Sequence, residues 1–217
     1  MEEQYEPISK KEETVTTKVR KFFEEKSFKK NKQIDNWADG YPSISDEKIR
    51  ELLGHKEDCV FVIHNSNEGP INTKFLKDIF ASDKNKKYAI VRKRYYDDDR
   101  KIFNHTFLVE KKDNGKIKIY DSWYLTNKSV YFSKCFDENV EDNCEFSTTT
   151  VQQDKGQGVC ALFALGTYLA LRSGQIKKLG EILQNFNDKI NIIKPNTIKK
   201  EAKQQQKYRS ESRLMFR

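Results

Sequence analysis

Short apolar runs separated by polar breaks fill the middle of the chain and predict a series of strands and short helices. Strands are predicted at 59–64, 88–96, 103–110 and 116–121, with a further candidate at 146–151. Lys112-Asp-Asn-Gly115 lies between two of these strands and is the strongest turn sequence in the chain, so a hairpin is expected there. Short helices are expected at 43–54, where Ser43 or Ser45 can cap the first turn, and at 72–80.

The most apolar stretch of the chain predicts a buried helix. It runs from Cys160 to Leu171 with hardly any polar residue, and a helix that is apolar on all sides belongs at the centre of a domain. A polar, glycine-bearing loop at 152–159 leads directly into it, and a second helix is expected at 175–186.

Charge separates a near-neutral body from charged ends. Of 41 basic and 33 acidic residues, nine basic and two acidic ones lie in 189–217, which leaves 32 and 31 for the first 188 residues. We expect a charged extension at 1–35 with an amphipathic helix at 11–27, a folded domain at 36–195 and a basic tail at 196–217. The neutral body argues against a nucleic-acid partner. The basic tail is expected to be solvated, with contact to an anionic membrane surface or to a nucleic acid as the alternatives.

Cysteine usage and hydropathy limit the class of protein further. Cysteines at 59, 135, 144 and 160 show no Cys-x-x-Cys spacing and form no cluster with the histidines, so neither a metal nor another cofactor is expected. No apolar stretch predicts a signal peptide or a membrane span, so the thiols are expected to stay reduced inside a cell. The protein is expected to be a monomer. A bacterial effector delivered by a dedicated apparatus would have the same features.

Cys160 is the candidate nucleophile. It lies where the polar loop meets the apolar helix, and the partial positive charge at a helix N-terminus favours a thiolate. No other cysteine has this position, and Cys59, in an apolar strand, is expected to be inert core.

The hairpin supplies the base and the residue that orients it. His105 and Asp121 fall nearly opposite each other at its open end, each in the apolar row of its strand. A carboxylate in such a row needs a polar partner, and imidazole is a good one. His55 and His64 are given no role.

Acyl transfer also needs donors for the oxyanion. The backbone N–H of Cys160 is one candidate. The side-chain amide of Gln153, seven residues earlier, is the other, with Gln152 and Gln157 as alternatives.

Two motifs resemble those of the SUMO and NEDD8 proteases. The segment from His105-Thr-Phe-Leu-Val to Lys116-Ile-Lys-Ile-Tyr-Asp-Ser122 resembles their His-to-Asp hairpin, and Gln153 with Gly158-Val-Cys-Ala-Leu-Phe-Ala-Leu165 resembles their Gln–Cys helix start. The order His–Asp–Gln–Cys also occurs in the adenoviral endopeptidase, bacterial effector deubiquitinases and Yop-type acetyltransferases. Thr106 and Ala161 depart from the family, which often has Trp after the His and usually Gly after the Cys.

The resemblance implies an α+β, papain-like fold with a central mixed or antiparallel sheet and the nucleophile at the start of a buried helix. It implies a cysteine isopeptidase that removes ubiquitin or a ubiquitin-like modifier, as a bacterial effector in the host cytoplasm. Trp123 and Trp37 are the candidate substrate-binding residues.

Two other functions fit the same residues. A Yop-type acetyltransferase would use the same triad on acetyl-CoA, but such enzymes commonly carry Glu at the position of Asp121 and need a basic inositol hexakisphosphate pocket. A catalytically inactive module could keep the fold in order to hold ubiquitin or another partner.

Overall fold

A mixed five-stranded sheet with helices on it forms the centre of the structure. The computed structural model describes residues 44–54, 56–96, 102–125, 132, 134–148, 151–153, 159–186 and 192–193. The elements are α1 (Asp46–Leu53), β1 (Cys59–His64), α2 (Thr73–Ala81), β2 (Tyr88–Tyr96), β3 (Ile102–Lys111), β4 (Ile117–Tyr120), α3 (Asn139–Asn143), β5 (Glu145–Phe146), β6 (Gln152–Gln153), α4 (Cys160–Arg172), α5 (Leu179–Phe186) and β7 (Ile192–Ile193).

The strands lie in the order β1-β2-β3-β4-β5. The pairs β2–β3 and β3–β4 are antiparallel, whereas β1–β2 and β4–β5 are parallel. The α+β class and the mixed sheet are therefore confirmed.

Side-chain alternation gives the sheet two buried faces. Ile90, Leu108 and Tyr120 pack with α4 in one apolar cluster. Val91 and Phe107, their strand neighbours, belong to a second cluster on the opposite face. Covering both faces explains why these strands consist of nearly continuous apolar runs.

Helix α4 is held at both its middle and its end. Its residues from Cys160 to Ala170 are all buried. Gly166 allows a close approach to α5, because a Cβ there would lie 2.8 Å from Leu183 Cδ2. Near the end of the helix, the Tyr168 hydroxyl donates to Asp58 Oδ1 at 2.8 Å. These contacts fix the axis of α4 and so fix where its first residue lies.

Local sequence signals account for the helix starts. Ser45 caps α1 by accepting from the Lys48 N–H at 3.2 Å, and Asn72 caps α2 by accepting from the Phe75 N–H at 2.8 Å. Of the two serines that the sequence offered for α1, the structure therefore uses Ser45.

Two predictions of secondary structure were wrong in part. The strand predicted at 146–151 is instead β5, which ends at Phe146, and a separate β6, which pairs with β7. The helix predicted at 175–186 is divided into a 3-10 turn at Ile176–Lys178 and α5. The predicted helix at 11–27, Trp37, His55 and the tail at 196–217 lie outside the described residues, so the domain bounds at 36 and 195 stay predictions. Within the described ranges, no helix has the length and hydropathy needed to cross a bilayer.

The β3–β4 hairpin matches its prediction. Leu108 pairs with Tyr120 and Lys111 with Ile117. The turn is closed by the Lys112 N–H, which donates to the Lys116 carbonyl at 2.8 Å, and Gly115 has a φ of 76°.

Replacing Gly115 tests how much the turn depends on its left-handed residue. Gly115→Ala should lower the free energy of unfolding by about 1 kcal/mol, since a Cβ disfavours positive φ, and Gly115→Asn should lower it less. Urea denaturation measures both, with the exposed neighbour Lys116→Ala as the control. Equal stability of Gly115→Ala and the wild type would contradict the prediction.

Candidate active site

The hairpin brings His105 and Asp121 into contact. His105 lies within β3, and Asp121 directly follows β4. His105 Nε2 and Asp121 Oδ2 are 3.0 Å apart, and both side chains are 0% exposed. A buried carboxylate is stable only with such a partner, so the contact fixes both side chains.

Asp121 and the His105 ring have further supports. Asp121 Oδ1 accepts from the Trp123 N–H at 2.7 Å, and its backbone carbonyl accepts from Gln152 Nε2 at 3.2 Å. The Trp123 ring stacks on the His105 ring, with centroids 4.9 Å apart and planes at 20°. The imidazole is thus oriented by a carboxylate at one nitrogen and by an aromatic face.

Cys160 comes to the same ring from helix α4. The His105 side chain and the Thr106 backbone both lie near enough to the thiol to lower its pKa. Because Nε2 of His105 faces Asp121, the nitrogen that can exchange a proton with the thiol is Nδ1. The structure therefore brings together three of the residues that the sequence singled out, although Cys160 lies 39 positions beyond Asp121 in the chain.

Electrostatics favour an ion pair between the thiol and the ring. Burial alone would raise the pKa of Cys160, but the hydrogen bond and charge of His105, the Thr106 amide and the charge of Arg92 lower it below its ordinary value. Burial alone would lower the pKa of His105, but the charge and hydrogen bond of Asp121, followed by Cys160, raise it. Thiolate and imidazolium therefore stabilise each other.

The other three cysteines behave differently. Cys59, Cys135 and Cys144 are all buried thiols. Burial raises the pKa of each of them, that of Cys59 to about 12. Cys160 is thus the one cysteine of the four whose pKa is lowered.

Gln153 has a buried amide that is fixed at one end. Its Oε1 accepts from the Ser122 hydroxyl at 2.9 Å, and its backbone N–H donates to the Ser122 carbonyl at 3.0 Å. Its Nε2 has no hydrogen-bond partner among the described residues, although the side chain is 0% exposed. A buried donor without a partner is costly and is a feature of sites that bind an acceptor.

The alternative amides differ from Gln153. Gln152 Oε1 accepts from the Leu125 N–H at 3.1 Å, and its Nε2 donates to the Asp121 carbonyl, so this side chain ties the segment after β4 to β6. Gln157 lies outside the described residues. Of the described pair, Gln153 is the one with a donor to offer.

Sequence reasoning missed Arg92 and Thr106. Arg92 is 4% exposed and lies in the strand row of Tyr88 and Ile90, which face α4. A charged residue in line with the apolar positions 88 and 90 is the signal that could have identified Arg92. Because Lys93 and Arg94 follow directly, this part of the strand has no clear alternation of apolar and polar residues. His64, which received no role, is buried with Nδ1 3.0 Å from Lys93 Nζ.

Comparisons add no relative to this description. No family model and no curated protein matches the chain. In the described part of the chain, no group of three His, Cys, Asp or Glu residues is arranged to hold a metal ion.

The pH dependence of alkylation tests the ion pair. Because the pKa of Cys160 is lowered and that of His105 raised, the rate with iodoacetamide should rise less steeply between about pH 7 and 8.5 than that of an ordinary thiol, which gains about tenfold per pH unit below its pKa. Mass spectrometry follows the adduct, with Cys160→Ser as the blank.

The variant His105→Ala is the matched comparison. Loss of the imidazolium should raise the Cys160 pKa and give a rate that climbs more steeply with pH. A wild-type rate that climbs with pH as steeply as that of His105→Ala would contradict the ion pair.

Proposed function

We propose that this chain is a cysteine isopeptidase of papain-like fold that cleaves ubiquitin or a ubiquitin-like modifier from its conjugates. The observation that carries the proposal is the Cys160–His105–Asp121 contact series at the start of a buried helix. Its support lies in the order of the groups: a thiol with a lowered pKa, a ring that can take or give a proton, and a carboxylate on the far nitrogen.

The proposed reaction proceeds by acyl transfer. The Cys160 sulfur attacks the carbonyl carbon of the modifier's last residue and forms a C–S bond. The C–N bond to the lysine then breaks, and His105 gives its Nδ1 proton to the leaving amine. Water next attacks the thioester carbonyl and gives one proton to His105. The C–S bond breaks, so the modifier leaves with a free C-terminal acid, which ionises in water, and the Cys160 thiolate is again paired with the His105 imidazolium.

Gln153 is proposed to hold the oxyanion together with the backbone N–H of Cys160. The Ser122 hydroxyl fixes the amide oxygen of Gln153, so the amide nitrogen is oriented before substrate arrives. Donors that need no rearrangement stabilise a developing charge more than flexible ones do.

Burial of the site supports a narrow acyl group. Cys160 is 7% exposed and His105 0%. An acyl chain that reaches the sulfur must therefore be extended and have little side-chain volume beside the scissile bond. A modifier that ends in glycine meets this requirement, because glycine adds no side chain. The proposal that the protein is a bacterial effector in the host cytoplasm is supported by the sequence resemblance alone.

Activity probes test the modifier class. Ubiquitin, SUMO and NEDD8 with a C-terminal propargylamide should each be tested, and we expect a covalent adduct with at least one, because a thiolate adds to the alkyne. Cys160→Ala should form none, whereas Cys144→Ala should react like the wild type.

Two results would contradict the isopeptidase proposal. One is an adduct that persists in Cys160→Ala. The other is no adduct with any probe together with autoacetylation from acetyl-CoA, which would identify the acetyltransferase instead.

Removal of the Gln153 amide tests the oxyanion role. Gln153→Ala should lower kcat about 100-fold with a small change in KM, because the lost hydrogen bond forms in the transition state. Ser122→Ala should lower kcat less, since it removes only the support of the amide. Hydrolysis of a fluorogenic modifier conjugate gives both constants, and an unchanged kcat in Gln153→Ala would exclude the role.

A further inference from the structure

Arg92 is a buried cation with no place in the mechanism above. Its Nη1 donates to Asp46 Oδ1 at 2.5 Å, its Nη2 to the Ile44 carbonyl at 2.7 Å and its Nε to the Thr106 hydroxyl at 3.2 Å. Two separate segments, 44–46 and β3, thus converge on one guanidinium. Burying such a charge costs several kcal/mol, so a residue that merely filled this space would be better replaced by an apolar one.

Thr106 connects this cation to the thiol. Arg92 and Thr106 are paired across β2 and β3, and Thr106 directly follows His105. The Thr106 side chain accepts from Arg92, and the backbone of the same residue acts on the Cys160 thiol, whose pKa it lowers. The guanidinium therefore holds the residue whose backbone acts on the thiol.

The charges around Arg92 do not cancel. Asp46 accepts from Arg92 through one oxygen and from Arg94 Nη2 through the other, both at 2.5 Å, so two cations share one carboxylate. The Arg94 side chain is 37% exposed and is screened by solvent, whereas that of Arg92 is 5% exposed. A positive charge thus remains on the side of the sheet that α4 covers.

The other ionisable groups that act on the thiol are few in the described residues. His105 and, through it, Asp121 act from the hairpin. Cys135, in the segment before α3, is a thiol whose own pKa is raised by burial and, in small part, by the charge of Cys160. Arg92 is the cation whose charge does not depend on pH in the working range.

We propose that Arg92 is a positioning residue for Cys160, which holds the Thr106 backbone near the thiol and supplies a permanent positive charge that favours the thiolate. The lowering of the Cys160 pKa by Arg92 agrees with this assignment. His105 loses its charge when it passes its proton to the leaving amine, whereas Arg92 keeps its own. The inference rests on Cys160 being the nucleophile proposed above, but its test reads the thiol directly and needs no substrate.

The experiment is a pH titration of the Cys160 thiol by the 13Cβ chemical shift of labelled cysteine, assigned with Cys160→Ala. In a His105→Ala background, adding Arg92→Gln should lower the thiolate fraction below the pKa by about three- to tenfold. Arg92→Lys should restore part of the loss, because it keeps the charge but not the planar fork. The matched control is Arg50→Gln, which removes an exposed guanidinium that packs over Phe61, a ring that Arg92 also approaches.

Asp46→Asn gives a result of opposite sign. It removes the carboxylate that offsets Arg92, so the thiolate fraction should rise, although the same contacts are weakened. If the Arg92–Asp46 contact were purely structural, both variants would change the thiolate fraction of Cys160 in the same direction. An unchanged thiol pKa in a folded Arg92→Gln protein, or a raised one in Asp46→Asn, overturns the proposal. If Arg92→Gln does not fold, the direction in which Asp46→Asn changes the thiolate fraction decides whether the proposal stands.

Since no modifier takes part in this titration, a failure here is distinct from a failure of the activity probes.

Discussion

The contact between His105 and Asp121 is the constraint on which the rest of the site depends. Both side chains are fully buried, so neither could be accommodated without the other. Asp121 in turn fixes the chain that follows it, because its carboxylate accepts from Trp123 and its carbonyl accepts from Gln152. One ion-pairing contact thereby determines the end of the hairpin, the position of β6 and the plane of the imidazole.

Helix α4 then needs only to deliver its first residue to a ring that is already oriented. The helix is buried along its length and anchored near its far end by Tyr168 and Asp58. The dipole of the helix, the Thr106 backbone, His105 and Arg92 all favour the thiolate. The lowered pKa of Cys160 is therefore a property of the packed domain, since Thr106, His105 and Arg92 are all distant from it in sequence.

Periodicity predicted the parts of this architecture that depend on local patterns. The hairpin, both capped helices and α4 follow from alternation, turn residues and caps, and the meeting of His105 with Asp121 follows from the hairpin register. The short strands β5, β6 and β7 could not be predicted, because two-residue pairings depend on tertiary contacts. Arg92 was missed for a related reason: a guanidinium inside a strand is explained only by Asp46 and Thr106, which come from other elements.

The neighbouring glutamines of β6 divide two tasks between them. Gln152 joins β6 to the segment after β4, whereas the Nε2 donor of Gln153 has no hydrogen-bond partner among the described residues. The two side chains differ in this way because successive residues of a strand point to opposite sides. A slip of β6 by a single position would exchange the two side chains. This short strand therefore cannot tolerate the insertion or deletion of one residue, whatever length variation its flanking connections accept.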